Sequence, residues 1–301
     1  MVDYIEIELL LNGKGFMADN LKFYSKTAWN TFNYKLNVGC RDLDVSYNVE
    51  CDILRVSGSL PYFLNGHNIH FSQEELEQSI DLISSLLGVN IWEGAVTAFE
   101  YGLVGETEHH YKSVLDAHAK LKGCKLAIYD HGRQFASRRG KFRLKLYNPW
   151  KNTPNKMTKA VREQLRQDGF TPNDRTIKLE VHIKNAKIVN NGDYPSVKML
   201  VLPGFQKVCK DFLRQRYDDI EKTKPMVIPS DKKVADSLGI ALCAYADGED
   251  QWAEKVLSRI NTFPDKVLSA SDKQQRRRII RKKIAQLTDE RSDFDLGELI
   301  K

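Results

Sequence analysis

The sequence predicts an α+β fold: antiparallel sheets that carry helices on one face, followed by a C-terminal helical region. Apolar and polar residues alternate in several short segments, which is the period of a half-buried strand. Between these segments apolar residues recur at helical spacing, and beyond residue 225 the pattern is helical alone. The strands fall into two groups, so two related halves that each resemble an RRM remain an open alternative.

The order of the elements predicts three parts. Residues 1–105 form a first α+β half, residues 106–225 form a second, and residues 226–301 form a basic helical region. The linker before the third part is marked by Lys222-Thr223-Lys224-Pro225. No sequence repeat supports a duplication of the two halves.

The elements of the first half follow from local patterns. Ile5 lies in an alternation of apolar residues with glutamates, which predicts a strand, and residues 44–60 predict a hairpin after an irregular stretch. Ser72 and Glu75 have the spacing of a capping box, which predicts a helix that ends at Gly88.

The second half alternates strands and helices in the same way. Strands are predicted there at 124–129, 141–147 and 176–184, and helices at 108–122, 155–168 and from Pro203 to about Glu221. A further strand, at 95–104, closes the first half.

Composition indicates an ordinary globular chain of 301 residues with 42% hydrophobic residues. No apolar stretch is long enough to span a membrane, and the acidic N-terminus is unlike a secretory signal. The five cysteines are scattered and never in C-x-x-C spacing. We therefore expect a reduced, cytoplasmic protein without a zinc site.

Positive charge is concentrated in two segments, although the net charge is only +6. The chain from Lys112 to Lys187 is rich in Lys and Arg, and seven of the eleven residues from Lys273 to Lys283 are cations. Such clusters favour a polyanionic partner. The alternative is an ordinary solvated surface.

Alternation also predicts which side chains share a sheet face. If the strands near residues 129, 144 and 180 pair, one face carries cations, aromatic rings and a carboxylate: Lys125, Tyr129, Arg143, Lys145, Tyr147, Lys178, Glu180 and His182. This face, without helical cover, is typical of a platform for single-stranded nucleic acid. The alternative is a solvent-exposed face in which Glu180 pairs with a lysine.

Glu100 lies on an apolar strand face, which is costly unless the carboxylate is paired or binds a metal. Gly102 beside it leaves room for a ligand or another backbone. His67, Asn68 and His70 follow an Asn-Gly turn, where they either bind a metal or fix the turn.

Four segments resemble the replication initiators of filamentous phages and related plasmids. They begin at Val56–Asn68, which contains Gly-Ser-Leu-Pro and Gly-His-Asn, and continue through Phe99–Gly102, Ile128–Gln134 and Ile177–Lys184. The four segments occur along the chain in the same order as in that family. Two positions depart from its pattern: His131 stands where a lysine is usual, and Gln134 where an acid is usual.

The resemblance implies a rolling-circle initiator, a metal-dependent endonuclease and strand transferase that nicks an origin. Tyr129 then corresponds to the nucleophile, assisted by His131, and Glu100 and Glu180 to metal-site carboxylates for Mg²⁺ or Mn²⁺. Tyr147 is the alternative nucleophile, because it shares the predicted face.

Such an initiator is expected to bind single- and double-stranded origin DNA in the cytoplasm of a bacterial host. A host replication helicase and polymerase are possible further partners. The cations assigned to this role are Lys125, Arg133, Arg143, Lys145, Lys178, Arg277 and Arg281. The rival functions are a mobilisation relaxase, which uses the same chemistry, and a DNA-binding replication regulator that has lost nicking.

Overall fold

A computed structural model describes residues 2–152, 157–222, 269–275 and 277–278. The chain divides into two compact units, of which the larger includes residues 1–115 and 120–221, and the smaller residues 116–119 and 222–294. The predicted linker beyond Lys222, most of the C-terminal helical region and Arg281 lie outside the described residues. Within the C-terminal region the sequence also predicts Ser271 as a helix N-cap. The short helical segment instead begins after Ser269, whose hydroxyl accepts from the Asp272 amide at 3.2 Å.

The larger unit is built on one antiparallel sheet of ten strands, in the order β2-β3-β4-β5-β1-β6-β11-β10-β9-β8. The strands of its first half are β1 (Val2–Leu10), β2 (Leu21–Lys26), β3 (Thr31–Leu36), β4 (Leu43–Asn48) and β5 (Ile53–Ser59). Those of its second half are β6 (Ala95–Glu106), β8 (Cys124–Tyr129), β9 (Gly132–Ser137), β10 (Phe142–Tyr147) and β11 (Thr176–Ile183). Two short strands, β7 (His118–Leu121) and β12 (Ile220–Lys222), pair separately.

The α-helices of this part of the chain are α1 (Leu60–Asn65), α2 (Gln73–Leu87), α3 (Tyr111–Ala117), α4 (Pro149–Asn152), α5 (Lys159–Gln167) and α6 (Pro203–Asp218). The predicted capping box is present at α2: the Ser72 hydroxyl accepts from the Glu75 amide, and the Glu75 carboxylate accepts from the Ser72 amide. Gly88 ends α2 in the left-handed conformation, as the sequence predicts.

The two halves share one topology. Each begins with a central strand, β1 or β6, continues through a meander whose last strand returns to pair with that central strand, and ends in a helix. The central strands β1 and β6 pair antiparallel and join the halves into one sheet. Each half thus contributes five strands to the sheet, one more than the four-stranded sheet of an RRM.

The two faces of the sheet differ sharply. On one, called the helix face, Phe99 packs against Phe205 of α6 at a ring distance of 6.2 Å, and Phe142 packs against Phe212 at 6.0 Å. On the other, called the polar face, register places Lys145 opposite Glu180 and Arg143 opposite His182. The predicted α+β class and the predicted sorting of these strands into faces are confirmed.

Several elements differ from the prediction. The stretch expected to be irregular holds β2 and β3, and β9 occupies residues expected to form a loop. The helix predicted at 108–122 is shorter, since residues 118–121 form β7. In β8, Leu126 and Ile128 were expected to face the core, yet both are exposed, because β8 is the last strand of the sheet.

Candidate functional site

Three carboxylates meet at the centre of the polar face. Asp3, Glu100 and Glu180 come from the adjacent strands β1, β6 and β11, and each offers one oxygen within 4.8 Å of the others. Asp3 and Glu180 are buried, whereas the Glu100 side chain is 13% exposed. A buried acidic triad of this kind can hold a metal ion, and its oxygen donors are those that hard divalent cations prefer.

Asp3 reaches the triad because β1 is bulged. Val2 pairs with Tyr101 and Ile5 with Phe99, so β1 advances by three residues where β6 advances by two. A bulge of this kind re-aims a side chain. Asp3 therefore lies on the polar face, although its alternation with Ile5 would place it on the helix face.

Two lysines already neutralise much of the triad's charge. The Nζ of Lys178 lies 2.5 Å from an Asp3 oxygen and 3.3 Å from Glu180, and the Nζ of Lys145 lies 2.6 Å from Glu100 and 2.9 Å from Glu180. Three carboxylates and two ammonium groups leave a formal charge of −1, which favours a further cation without requiring one.

The lysines and carboxylates hold one another charged. Burial favours the neutral carboxyl group of Glu100, yet a hydrogen bond from His182 and the charge of Lys145 lower the pKa of Glu100. Burial likewise opposes ionisation of Asp3, and Lys178 outweighs it, so that the pKa of Asp3 is also lowered. The pKa values of Lys145 and Lys178 are raised, because the facing carboxylates outweigh burial.

Tyr147 belongs to the same cluster. Its hydroxyl donates to Oε2 of Glu180 at 2.8 Å, and Nδ2 of Asn68 lies 3.5 Å from the hydroxyl and 3.0 Å from Asp3. Burial and the nearby Glu180 charge raise the pKa of Tyr147 well above its ordinary value. The phenol is therefore protonated in this arrangement, with a carboxylate in place to accept its proton.

Tyr129 lies apart from the carboxylates. It ends the edge strand β8 and is 56% exposed. Tyr129 lies opposite Gly132 of β9, which in turn lies opposite Tyr147 of β10, so Tyr129 is on the polar face. Three strand spacings, about 14 Å, nevertheless separate β8 from β11, the strand that carries Glu180. The structure thus brings Tyr147 to Glu180 and leaves Tyr129 at the margin.

His131 lies in the turn after Tyr129, where its Nδ1 is 2.8 Å from the Tyr111 hydroxyl. Its backbone carbonyl accepts from the Asn148 amide, next to Tyr147. His131 therefore ties the β8–β9 turn to the end of β10.

The cations predicted to contact DNA occupy different environments. Lys125 of β8 and Arg143 of β10 both lie opposite Ala136 of β9, so all three side chains are on the same face of the sheet. That face is the polar face, because Arg143 also lies opposite His182. Arg133 is buried and pairs with Leu146, which places it on the helix face. Lys178 is fully buried in its ion pairs and cannot act as an exposed phosphate contact.

The remaining predicted cations belong to the C-terminal part. Arg277 lies in the short described helical segment, and Arg281 lies outside the described residues. The prediction that these two arginines contact duplex DNA stays a prediction.

The loop that follows α1 supplies Asn68 but not a histidine to the triad. His67 accepts a hydrogen bond from the Ile69 amide at 3.4 Å, which is the turn-fixing role considered from the sequence. Over residues 2–152 and 157–222, the acidic triad is the one group of three or more metal-ligating side chains close enough to share an ion, and neither His67 nor His70 belongs to it.

Sequence reasoning missed Asp3 as a site residue. The sequence nevertheless contains a clue to Asp3. It alternates with Ile5 and Ile7 and so falls on an apolar strand face, where burying a carboxylate is as costly as it is for Glu100. The partner that resolves it, Lys178, is 175 residues away and becomes visible only in the fold.

The fold and the site define an α+β protein whose polar sheet face carries a buried cluster of carboxylates, lysines and a tyrosine. No protein-family model matches the chain, and no curated protein shows significant similarity to it. Over the described residues, no helix has the length and apolar character needed to cross a membrane.

Proposed function

We propose that this chain is a cytoplasmic DNA-nicking and strand-transfer enzyme of the rolling-circle initiator type, with Tyr147 as its nucleophile. The observation that carries the proposal is the hydrogen bond of 2.8 Å from the Tyr147 hydroxyl to Glu180 within the acidic triad. A phenol beside a carboxylate has both the nucleophile and the base that attack on a phosphodiester needs. Tyr129, the first candidate from the sequence, lies on β8, three strands away from Glu180.

In the proposed reaction Tyr147 transfers its proton to Glu180 while the phenol oxygen attacks phosphorus. The bond from phosphorus to the 3′-oxygen breaks, and that oxygen takes a proton from solvent. The products are a 5′-phosphotyrosine and a 3′-hydroxyl that a polymerase extends. Attack of a 3′-hydroxyl on the phosphotyrosine reverses the chemistry and reseals the strand.

Asp3, Glu100 and Glu180 would hold Mg²⁺ or Mn²⁺, which supplies Lewis-acid stabilisation of the phosphate and the phenolate. The donor set fits these ions, because all three ligands are carboxylate oxygens. Lys145, whose side chain is 26% exposed, is the cation of the cluster best placed to meet an incoming phosphate.

The test is detection of a covalent protein–DNA adduct. The full chain is incubated with Mn²⁺ and supercoiled plasmid carrying the DNA that surrounds its gene, and the products are separated on a denaturing gel. We expect open-circle DNA and an adduct that Tyr147→Phe abolishes and Tyr129→Phe, the matched variant on the same sheet face, retains. An adduct mapped to Tyr129 would reverse the assignment.

A second candidate is a DNA-binding regulator that does not cut. The specific observation in its favour is that Lys145 and Lys178 pair with all three carboxylates and neutralise most of their charge. Such a protein would bind DNA through the polar face and give neither open-circle product nor adduct in the same experiment.

A further inference from the structure

We propose that a pocket beside the loop carrying Asn68 binds one unpaired nucleobase of the strand whose phosphodiester is presented to Tyr147. This loop pocket lies between the loop after α1 and helix α5, with Asn65, His67 and His70 on one side and Val161, Gln164 and Phe170 on the other. Its volume is about 290 Å³, at the lower end of the range for small-molecule sites. The inference deepens the proposed function by naming a substrate-binding subsite.

The apolar part of the pocket suits a flat ring. Phe170, Val161 and Leu165 line it, and the ring of Phe170 lies 5.7 Å from that of His70 at an angle of 37°. Two such rings offer π-faces on which any base can stack. Phe170 is also partly exposed, so a base can approach it from solvent.

The polar part favours a base over a phosphate. Its described lining contains the carboxylates of Glu75 and Asp168 and no Lys or Arg, so a bare phosphate would be repelled. Carboxylates only accept hydrogen bonds, so they match a ligand edge that carries N–H donors. Adenine, cytosine and guanine carry an amino group on that edge, and we expect them to bind more tightly than thymine.

His67 is consistent with a neutral ligand. Burial lowers its pKa, so the imidazole is uncharged at neutral pH. Since Nδ1 accepts from the Ile69 amide, the proton of the neutral ring resides on Nε2, where it is a donor.

The pocket is coupled to the proposed catalytic cluster through one peptide bond. His67 lines the pocket, and the next residue, Asn68, contacts both Asp3 and the Tyr147 hydroxyl. Consecutive Cα atoms are only 3.8 Å apart, so neighbouring residues of one loop serve the pocket and the cluster. Arg162, which follows the lining residue Val161 in α5, is exposed to solvent.

The test compares oligonucleotides with and without bases. Binding of the full chain to short random-sequence single-stranded DNA, and to abasic strands of equal length, is measured by fluorescence anisotropy in EDTA, so that cleavage does not interfere. We expect Phe170→Ala to weaken binding of the base-bearing strands about tenfold, as expected for loss of one stacking contact, and to leave abasic strands unchanged. Tyr194→Ala removes another partly exposed aromatic ring and should change neither.

Equal behaviour of Phe170→Ala and Tyr194→Ala, both confirmed as folded by circular dichroism, would overturn the inference. A second measurement locates the base: strands containing 5-iodocytosine are photo-crosslinked and the modified peptide is mapped. We expect crosslinks at Phe170 or His70. Crosslinks confined to the exposed aromatic residues Phe23, Tyr24 and Trp29 would place the base elsewhere and also overturn it.

The outcomes separate this inference from the proposed function. If no covalent adduct forms but Phe170→Ala weakens base-dependent binding, nicking fails and the pocket stands as a single-strand binding site. If the adduct forms and Phe170→Ala has no base-dependent effect, nicking stands and the pocket inference fails.

Discussion

Glu180 lies directly opposite Gly102 in the register of β11 and β6, and a Cβ at position 102 would come within 2.7 Å of the Glu180 Cβ. Gly132 stands in the same relation to Tyr147, at 2.8 Å. The two side chains of the proposed proton transfer are thus each packed against a glycine on the neighbouring strand. The room that the sequence predicted beside Glu100 is occupied by the backbone and Cβ of Glu180.

Gly102→Ala should therefore destabilise the sheet and displace Glu180. The nearest atoms include the Leu179 carbonyl, at 3.1 Å, so backbone must shift as well. We expect a loss of about 1–3 kcal/mol in the free energy of unfolding by urea, the range for overpacking. The matched variant Gly204→Ala, in α6 with nothing within 4 Å of the added methyl, should be neutral or slightly stabilising. A neutral Gly102→Ala would show that β6 and β11 are less tightly paired than described.

Lys178→Met should be strongly destabilising. The Lys178 side chain is fully buried, and its removal leaves Asp3 and Glu180 without their shared cation. Breaking a buried ion pair in this way lowers the free energy of unfolding by about 3–5 kcal/mol. Urea unfolding of the variant and of the unsubstituted chain would measure this loss. The double variant Asp3→Asn with Lys178→Met should recover part of that loss, because one uncompensated charge is removed.

The control for this prediction is an exposed ion pair. Lys35→Met removes the partner of Asp44, with both side chains more than one third exposed, and should cost at most about 1 kcal/mol. Equal effects of Lys35→Met and Lys178→Met would contradict the assigned role of the buried pair.

Stability should fall in acid through Asp3 and Glu100. Their pKa values are lowered in the folded protein from ordinary values of 3.8 and 4.5. A lowered pKa contributes stability that is present above the ordinary value and is lost as the pH falls through the folded-state value. The melting temperature should thus be insensitive to these groups near neutral pH and fall below about pH 4.5.

Asp3→Asn should flatten part of this acid dependence, while Glu77→Gln, in α2 and outside the triad, should leave it unchanged. Parallel melting-temperature curves for Asp3→Asn and the unsubstituted chain would exclude Asp3 as a source of acid sensitivity.

Divalent metal should stabilise the chain through the triad. A ligand that binds the native state at a concentration one hundred times its Kd adds about 2.7 kcal/mol. We expect Mn²⁺ to raise the melting temperature in differential scanning calorimetry, and Glu100→Gln to remove most of that rise. Glu77→Gln should keep it. A rise that persists in Glu100→Gln would locate the metal elsewhere.

Local sequence patterns predicted much of the fold because they report short-range physics. The alternation around Glu180 gave the correct faces, and Ser72, Glu75 and Gly88 gave the correct helix ends, since capping depends on neighbours in the chain. Strand β9 was missed because Phe135 is its only large apolar residue, so it shows little alternation, and pairing on both sides stabilises it.

The acidic cluster was only partly predictable. Glu100 was singled out because a carboxylate breaks the apolar pattern of its strand, and Glu180 because alternation places it among cations. Tyr147 was retained because it shares the predicted face of Glu180. Asp3 depended on a bulge, whose extra residue is invisible to a strict period of two.

By itself the sequence determined the fold class, the strand faces and the types of reactive side chain, because these follow from interactions over a few residues. Only the tertiary structure decided which of them meet. Tyr147 rather than Tyr129 contacts Glu180, and Lys178 contacts Asp3, because the pairing of β1, β6, β11 and β10 sets distances that no local pattern contains.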